Sequence, residues 1–188
     1  MCGRFQLDVS LETLEEMFEG LLVPEKDILQ GGELTPGRLI SHIQGKGSTL
    51  SLQNSHWGVK REKGMQINAR SEGWNRSYHQ TKRCIIPASA YFEWDQKSKA
   101  KVCFQTEKSS LFFLAGLIAF NPIGERQVLI VTQDAEPEIV RIHSRMPVAF
   151  DLVAAQAYLG RLNYGPKEWE TIHRWQTKVL SSEQISFY

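Results

Sequence analysis

The sequence predicts an α+β fold with a largely antiparallel sheet, barrel-like at its core, and a few peripheral helices. Three observations lead there. Apolar, β-branched stretches outnumber amphipathic helical ones. The strand candidates mostly follow one another with turn residues, not crossover helices, between them. The chain has 188 residues, 41% of them hydrophobic, which suits one domain over residues 1–188 with its own core.

Taken in order, residues 10–21 predict a short amphipathic helix. Leu11, Leu14, Phe18 and Leu21 recur at helical spacing, and Asp8 or Ser10 can cap it. Residues 24–37 predict a loop, with Gly31-Gly32 and Pro36-Gly37 as turn signals. Strands are expected at 38–44, 49–53, 56–59 and 65–69, and a short helix within the polar residues 71–82. Three more strands are expected at 84–94, 100–106 and 111–120, with a Lys-rich turn over 95–99. Another follows at 127–132. Residues 136–142 predict one or two helical turns. Residues 151–162 predict a helix capped by Asp151, and residues 166–178 a last helix with a proline in its first turn.

Composition excludes several classes. The longest apolar stretch, 111–120, is too short to cross a bilayer and suits a buried strand. The N-terminus lacks the charged and apolar regions of a secretory signal, so a cytoplasmic location is expected, with no membrane partner. Three cysteines without close spacing (Cys2, Cys84, Cys103) argue against a disulfide framework. No CxxC or HxxxH pair suggests zinc, so no metal or cofactor is expected. Cys84 and Cys103 lie in apolar strand-like runs and read as buried thiols. The net charge of +1 hides an asymmetry. Residues 8–33 hold eight acids against Lys26, whereas residues 60–83 hold seven bases against Glu62 and Glu72. A basic segment of that kind can hold a polyanion locally.

Cys2 is the first candidate for chemistry. Removal of Met1 would leave an α-amine and a thiol on one carbon skeleton. Their reference pKa values, about 7.7–8.0 and about 8.5, leave both partly deprotonated near neutrality. Such a 1,2-aminothiol is matched to an aldehyde: the amine forms a Schiff base and the thiol closes a five-membered thiazolidine. The second step is intramolecular and gains the effective concentration of held reactants.

Met1-Cys2-Gly3-Arg4-Phe5 is followed by Ile67-Asn68-Ala69-Arg70-Ser71-Glu72, then Arg83-Cys84-Ile85-Ile86-Pro87. Tyr91-Phe92-Glu93-Trp94 and Ile142-His143-Ser144-Arg145-Met146-Pro147 complete the series. In this order and spacing the set resembles the SOS-response-associated peptidase (SRAP) family. The resemblance implies an abasic-site processing protein, a cytoplasmic monomer that associates with the nucleoid when bound to DNA. It would sense abasic sites in single-stranded DNA and form a covalent thiazolidine cross-link through Cys2.

Glu93 matches the family's catalytic acid, and its aromatic neighbours should desolvate the carboxyl and raise its pKa toward the range useful for proton transfer. His143 matches the active-site histidine, which can draw a proton from the deoxyribose hydroxyl and favour the open aldehyde. Asn68 matches the asparagine that orients the Cys2 amine or the sugar. Arg4 and Arg70 match phosphate-binding arginines, and Arg145 is a further candidate for that work. Trp57 and Trp74 are candidates for base stacking, with core packing the alternative for Trp57. His42, His56, His79 and His173 have no such context.

The sequence departs from the family twice. Glu33-Leu34-Thr35-Pro36 stands where many members have Asn-Val-Ala-Pro, so an acid replaces the asparagine. After Trp57-Gly58 comes a short basic stretch, residues 59–63, in place of a Trp-rich insertion. Three rival readings remain at this point. One is a thiol peptidase acting through Cys2, foremost on its own Met1–Cys2 bond. Another is a non-covalent single-stranded DNA-binding module. The third is a class II glutamine amidotransferase, which also opens Met-Cys-Gly but needs Asn-Gly and Gly-Asp segments that are not convincingly present.

Overall fold

The computed structural model describes residues 2–24, 28–46, 49–73, 82–107, 109–160, 172 and 175–180. The chain runs β1 (Phe5–Leu7), α1 (Leu11–Met17), β2 (Leu21–Leu22), β3 (Gly32–Leu34), β4 (Leu39–Lys46) and β5 (Thr49–Trp57). Next come β6 (Val59–Arg61), β7 (Gly64–Gln66), β8 (Asn68–Arg70) and a 3-10 turn (Ser71–Gly73). Then follow β9 (Lys82–Ala88), β10 (Ala90–Trp94), β11 (Lys101–Thr106), β12 (Phe112–Phe120) and β13 (Arg126–Asp134). Last are β14 (Arg145–Pro147), β15 (Ala149–Phe150), α2 (Leu152–Tyr158) and β16 (Trp175–Val179).

The expected α+β class with a mainly antiparallel, barrel-like core is what forms. β5, β4, β9, β12 and β13 pair in sequence, and β5 returns to β13 in parallel through His56↔Gln127 and Trp57↔Val128. That last pairing closes the ring. Closure removes the unpaired edge that an open sheet would expose. A second sheet, ordered β16-β11-β10-β1-β3, is antiparallel throughout. Phe5, Trp57, Tyr91, Phe104, Phe112 and Phe113, all buried, fill the shared core.

Both expected caps form. Ser10 Oγ accepts from Thr13 N–H at 3.2 Å, and Asp151 Oδ1 from Ala154 N–H at 2.9 Å. The first helix is shorter than its periodicity, ending at Met17. Gly116, inside the apolar run, has a packing reason: a Cβ there would lie 2.6 Å from Cys84 Sγ. β4, β11, β12 and β13 match their predicted positions within a few residues, whereas the strands expected at 49–53 and 56–59 run together as β5 and the strand expected at 65–69 is divided at Ile67 into β7 and β8.

Three expectations are corrected. The apolar run 84–94 is two strands, because the chain leaves the barrel at Ser89 and enters the second sheet; Ser89 N–H donates to the Gln6 carbonyl at 2.7 Å. The loop 24–37 contains β3, which pairs with β1 through Gln6↔Glu33. Of the helix expected over 166–178, residues 166–171, 173 and 174 lie outside the described residues, and the end of that span is β16, paired with β11 through five residues from Val102↔Val179 to Thr106↔Trp175. Available strand-edge hydrogen bonds override local propensity there. Residues 136–142 form the one or two turns expected, with Val140 N–H donating to the Glu136 carbonyl and His143 N–H to the Ile139 carbonyl. Among the described residues no helix is long and apolar enough to cross a membrane.

Candidate functional site

The site is assembled at the start of β1. Phe92 N–H donates to the Arg4 carbonyl at 2.9 Å, which ties residues 2–4 alongside the strand carrying Glu93. Side chains alternate along β10, so Tyr91 and Glu93 share one face and Phe92 and Trp94 the other. Asn68 enters from β8, held against β13 by the parallel pair Asn68↔Ile130. Its Nδ2 donates to the Cys2 carbonyl at 3.1 Å across 66 residues of sequence.

Cys2 is fully buried. Burial pushes its thiol pKa well above the ordinary value, and the neighbouring Glu93 carboxylate adds to that rise; the Arg4 backbone N–H opposes it. The resting sulfur is therefore a protonated thiol. In the full chain the Cys2 nitrogen is part of the peptide bond to Met1, so the free aminothiol expected from sequence requires Met1 to be removed first.

Glu93 is 5% exposed, and burial raises its carboxyl pKa to about 7. A group half-ionised at neutral pH can both give and take a proton without a large driving-force penalty. Tyr91, on the same face, is buried with its ring stacked on Phe104, centroids 4.5 Å apart. His143 sits just before β14. Its Nδ1 lies 3.1 Å from the Arg145 carbonyl and 3.0 Å from the Arg145 N–H. Burial lowers its pKa, so the ring is neutral near pH 7. With the Arg145 N–H donating to Nδ1, the neutral ring keeps its proton on Nε2; only the other tautomer, with Nδ1–H on the Arg145 carbonyl, leaves the Nε2 lone pair that a base needs.

The candidate DNA contacts divide sharply. Arg70 is exposed at the end of β8. Arg4 is partly exposed and stacks its guanidinium on Trp94, 5.2 Å from the ring centroid. Arg145 is nearly buried and committed elsewhere. It donates to Glu72 at 2.6 and 3.0 Å, to Asp134 at 2.6 Å and to the Thr132 carbonyl at 2.7 Å. Those bonds join β14 to the turn after β8, so Arg145 braces the segments carrying Asn68 and His143. Its geometry suits bracing better than phosphate binding.

Trp57 is also corrected. It is fully buried, packed on Phe5 with centroids 5.4 Å apart, and its Nε1–H donates to the Ile67 carbonyl at 3.0 Å. A ring with no accessible face cannot stack on a base. Trp57→Ala should cost about 3–5 kcal/mol in urea unfolding. A fold of unchanged stability in that variant would return Trp57 to the surface. Trp74 lies outside the described residues. The aromatic that sequence reasoning missed is Trp94, 40% exposed beside Arg4. An indole next to the catalytic-acid candidate and at the end of an apolar strand was the available signal.

His42 and Cys84 lie in the core, and Cys103 packs against a smaller apolar cluster. His42 is buried, 3.0 Å from Ser55 Oγ, with its pKa lowered to about 4 by burial. Cys84 is buried and Cys103 partly so. Among the described residues no group of three or more His, Cys, Asp and Glu is placed to hold a metal.

The sequence-family description "SOS response associated peptidase (SRAP)" matches residues 1–187. The chain is 31% identical over 186 residues to "Abasic site processing protein YoqW" of Bacillus subtilis (strain 168), covering 88% of this chain and 83% of that one. It is also 31% identical to "Abasic site processing protein YobE" of the same organism, covering 88% and 85%. Among solved structures, a Bacteroides thetaiotaomicron protein superposes with a TM-score of 0.78 at 17% identity, covering 98% of this chain and 94% of that one. A phage-related protein from Bordetella bronchiseptica gives 0.71 at 20% identity, covering 95% and 94%. With its length matched to the family and curated relatives at this identity, the chain belongs to the SOS response associated peptidase (SRAP) family.

Proposed function

We propose that this chain processes abasic sites in single-stranded DNA by bonding to them covalently through Cys2. The observation that carries this reading is the convergence of Cys2, Asn68 and Glu93. Residues from β8 and β10 meet the second residue of the chain in a buried, polar-lined corner. The names of the YoqW and YobE relatives supply the substrate class.

The chemistry runs in four steps. Hydrolysis of the Met1–Cys2 bond consumes one water and releases methionine, freeing the Cys2 amine. His143 then takes the proton of the sugar C1′ hydroxyl as the hemiacetal opens, with a proton returned to the ring oxygen, to give the aldehyde. The amine adds to that aldehyde, and as Glu93 gives its proton to the hydroxyl one water departs, leaving the protonated imine, whose nitrogen keeps its hydrogen. Finally the Cys2 sulfur adds to the same carbon and its proton leaves to Glu93, closing the thiazolidine. Glu93, poised near pH 7, serves the protonation of the departing hydroxyl and the later deprotonation of the thiol. Asn68, fixed on the Cys2 carbonyl, orients residue 2 throughout.

Arg70 and Arg4 hold phosphates, and Trp94 offers a face to a base. Arg70→Ala should weaken binding of an intact single strand and reduce the slope of log affinity against log salt by about 0.7. Unchanged affinity across a salt series would remove Arg70 from the phosphate set. A second reading, a thiol peptidase, is favoured by the first step alone, which is peptide hydrolysis beside Cys2 and Glu93. Multiple turnovers on an added peptide would support it. The main reading is tested by incubating Met1-free protein, verified by mass, with abasic and intact single strands on a denaturing gel. A shifted band is expected with the abasic strand alone; equal bands with both, or none, overturn the proposal.

A further inference from the structure

On the outer face of the second sheet, opposite Glu93, three charges are packed together. Glu33 accepts from Arg4 Nη1 through one carboxylate oxygen and from Lys101 Nζ through the other, the latter at 2.6 Å. The three come from different segments, Arg4 from the residues just before β1. Glu33 is on β3 beside Gln6 of β1, and Lys101 is on β11 opposite Trp94 of β10. Their exposures differ in a way that matters: the side chains of Lys101 and Glu33 are 2% and 8% accessible, that of Arg4 35%. Lys101 is further pinned by the Phe92 ring, 4.1 Å from its Nζ, and Arg4 lies over Trp94.

The arrangement is a fixed anion with one buried cation behind it and one accessible cation in front. Lys101, unable to reach solvent, holds the carboxylate in place. Arg4 is the member that an outside anion can touch. The Glu33 carboxylate occupies one arm, Nη1, of the donor fork that a phosphate would use, and its charge offsets that of the guanidinium. We infer that Glu33 is a resident competitor for the DNA phosphate at Arg4, setting how tightly this chain holds a single strand. This rests on the reading of Arg4 as a phosphate contact and adds a residue that opposes it. Binding of DNA at Arg4 must displace Glu33 from the guanidinium or share it. Either way the Arg4 contact is weaker than the same arginine without its partner.

The test is non-covalent binding of a fluorescein-labelled oligothymidylate, without abasic sites, across a salt series. Glu33→Gln removes the competing charge, but it strands Lys101, a buried cation whose loss of partner is costly. Glu33→Gln with Lys101→Met removes both buried charges together and keeps the result interpretable if the single variant does not fold. Release of one arginine should steepen the log affinity against log salt slope by about 0.7. That corresponds to about eightfold tighter binding at about 50 mM salt, falling to about threefold at about 200 mM. The gain must vanish when Arg4→Ala is added to either variant. A gain that survives without Arg4, or no gain in the variant that folds, overturns the assignment. If the parent cross-links abasic strands while Glu33 variants bind unchanged, the Glu33 assignment fails alone. If neither parent nor variant binds or cross-links, the abasic-site reading fails with it.

Discussion

Cys2→Ala is expected to abolish the denaturation-resistant band with an abasic single strand, a loss limited by the detection threshold of the gel. The physical ground is the chemistry of the ring. A thiazolidine needs a nitrogen and a sulfur two carbons apart, and position 2 is the place where the chain can offer both on one residue after Met1 departs. Alanine keeps the amine, so an imine remains possible, but imines hydrolyse under the gel conditions unless reduced. Cys2→Ser is the sharper comparison, since an oxygen replaces the sulfur in the same place. It should give a labile product that borohydride traps and that untreated denaturation destroys. Both variants should still bind intact single strands, because Arg70 and Arg4 are unchanged. Folding must be monitored, because Cys2 is fully buried. Serine puts a hydroxyl where a thiol packed, which costs on the order of 1–3 kcal/mol if no partner is found. Cross-linking by both folded variants at the parent rate would place the nucleophile elsewhere in the chain.

Much of the scaffold was legible in the sequence because its signals are local. Ser10 and Asp151 are caps with a defined reach of three residues, and the apolar strands β12 and β13 announce themselves by composition. What could not be read was decided by distant partners. β1 and β3 are three residues each, too short for periodicity, and exist because they pair with each other and with β10. The tail after Pro166 has helical local signals, yet its described end pairs with β11. Ser89 divides a continuous apolar run because the chain changes sheets there. The site shows the same division. The family resemblance implied that Asn68 orients the Cys2 amine or the sugar; the contact observed is to the Cys2 carbonyl. The roles of the arginines were open, since a guanidinium looks alike in sequence whether solvated or paired. Arg145 and Glu72 meet across 73 residues, and Arg4 and Glu33 across 29. Trp57 and Trp94 likewise differ in accessibility, which neighbours in three dimensions decide.

Glu93→Gln should make the protein more stable and much less active. In the folded state burial holds the carboxyl at about 7, against 4.5 for an ordinary glutamate. The native state therefore retains a proton that the unfolded chain has already lost. Stability falls as pH rises between those two values, because the unfolded state binds fewer protons there. Above pH 7 the loss is complete and amounts to up to about 3 kcal/mol. Glutamine keeps the shape and carries no charge, so the variant should lack this loss. Parent and variant should differ little in urea unfolding near pH 4.5, and the variant should be the more stable by about 1–3 kcal/mol near pH 8. The rate of cross-linking should fall by about 10²- to 10⁴-fold, the usual worth of a positioned acid or base. The parent's rate should bend near pH 7, and that bend should be missing from the variant's residual rate. The two effects test different links. A stability gain without loss of rate would leave Glu93 as a desolvated bystander. A loss of rate with no pH-dependent gain in stability would mean the carboxylate is ionised at neutral pH and cannot serve as the acid that departure of the hydroxyl requires.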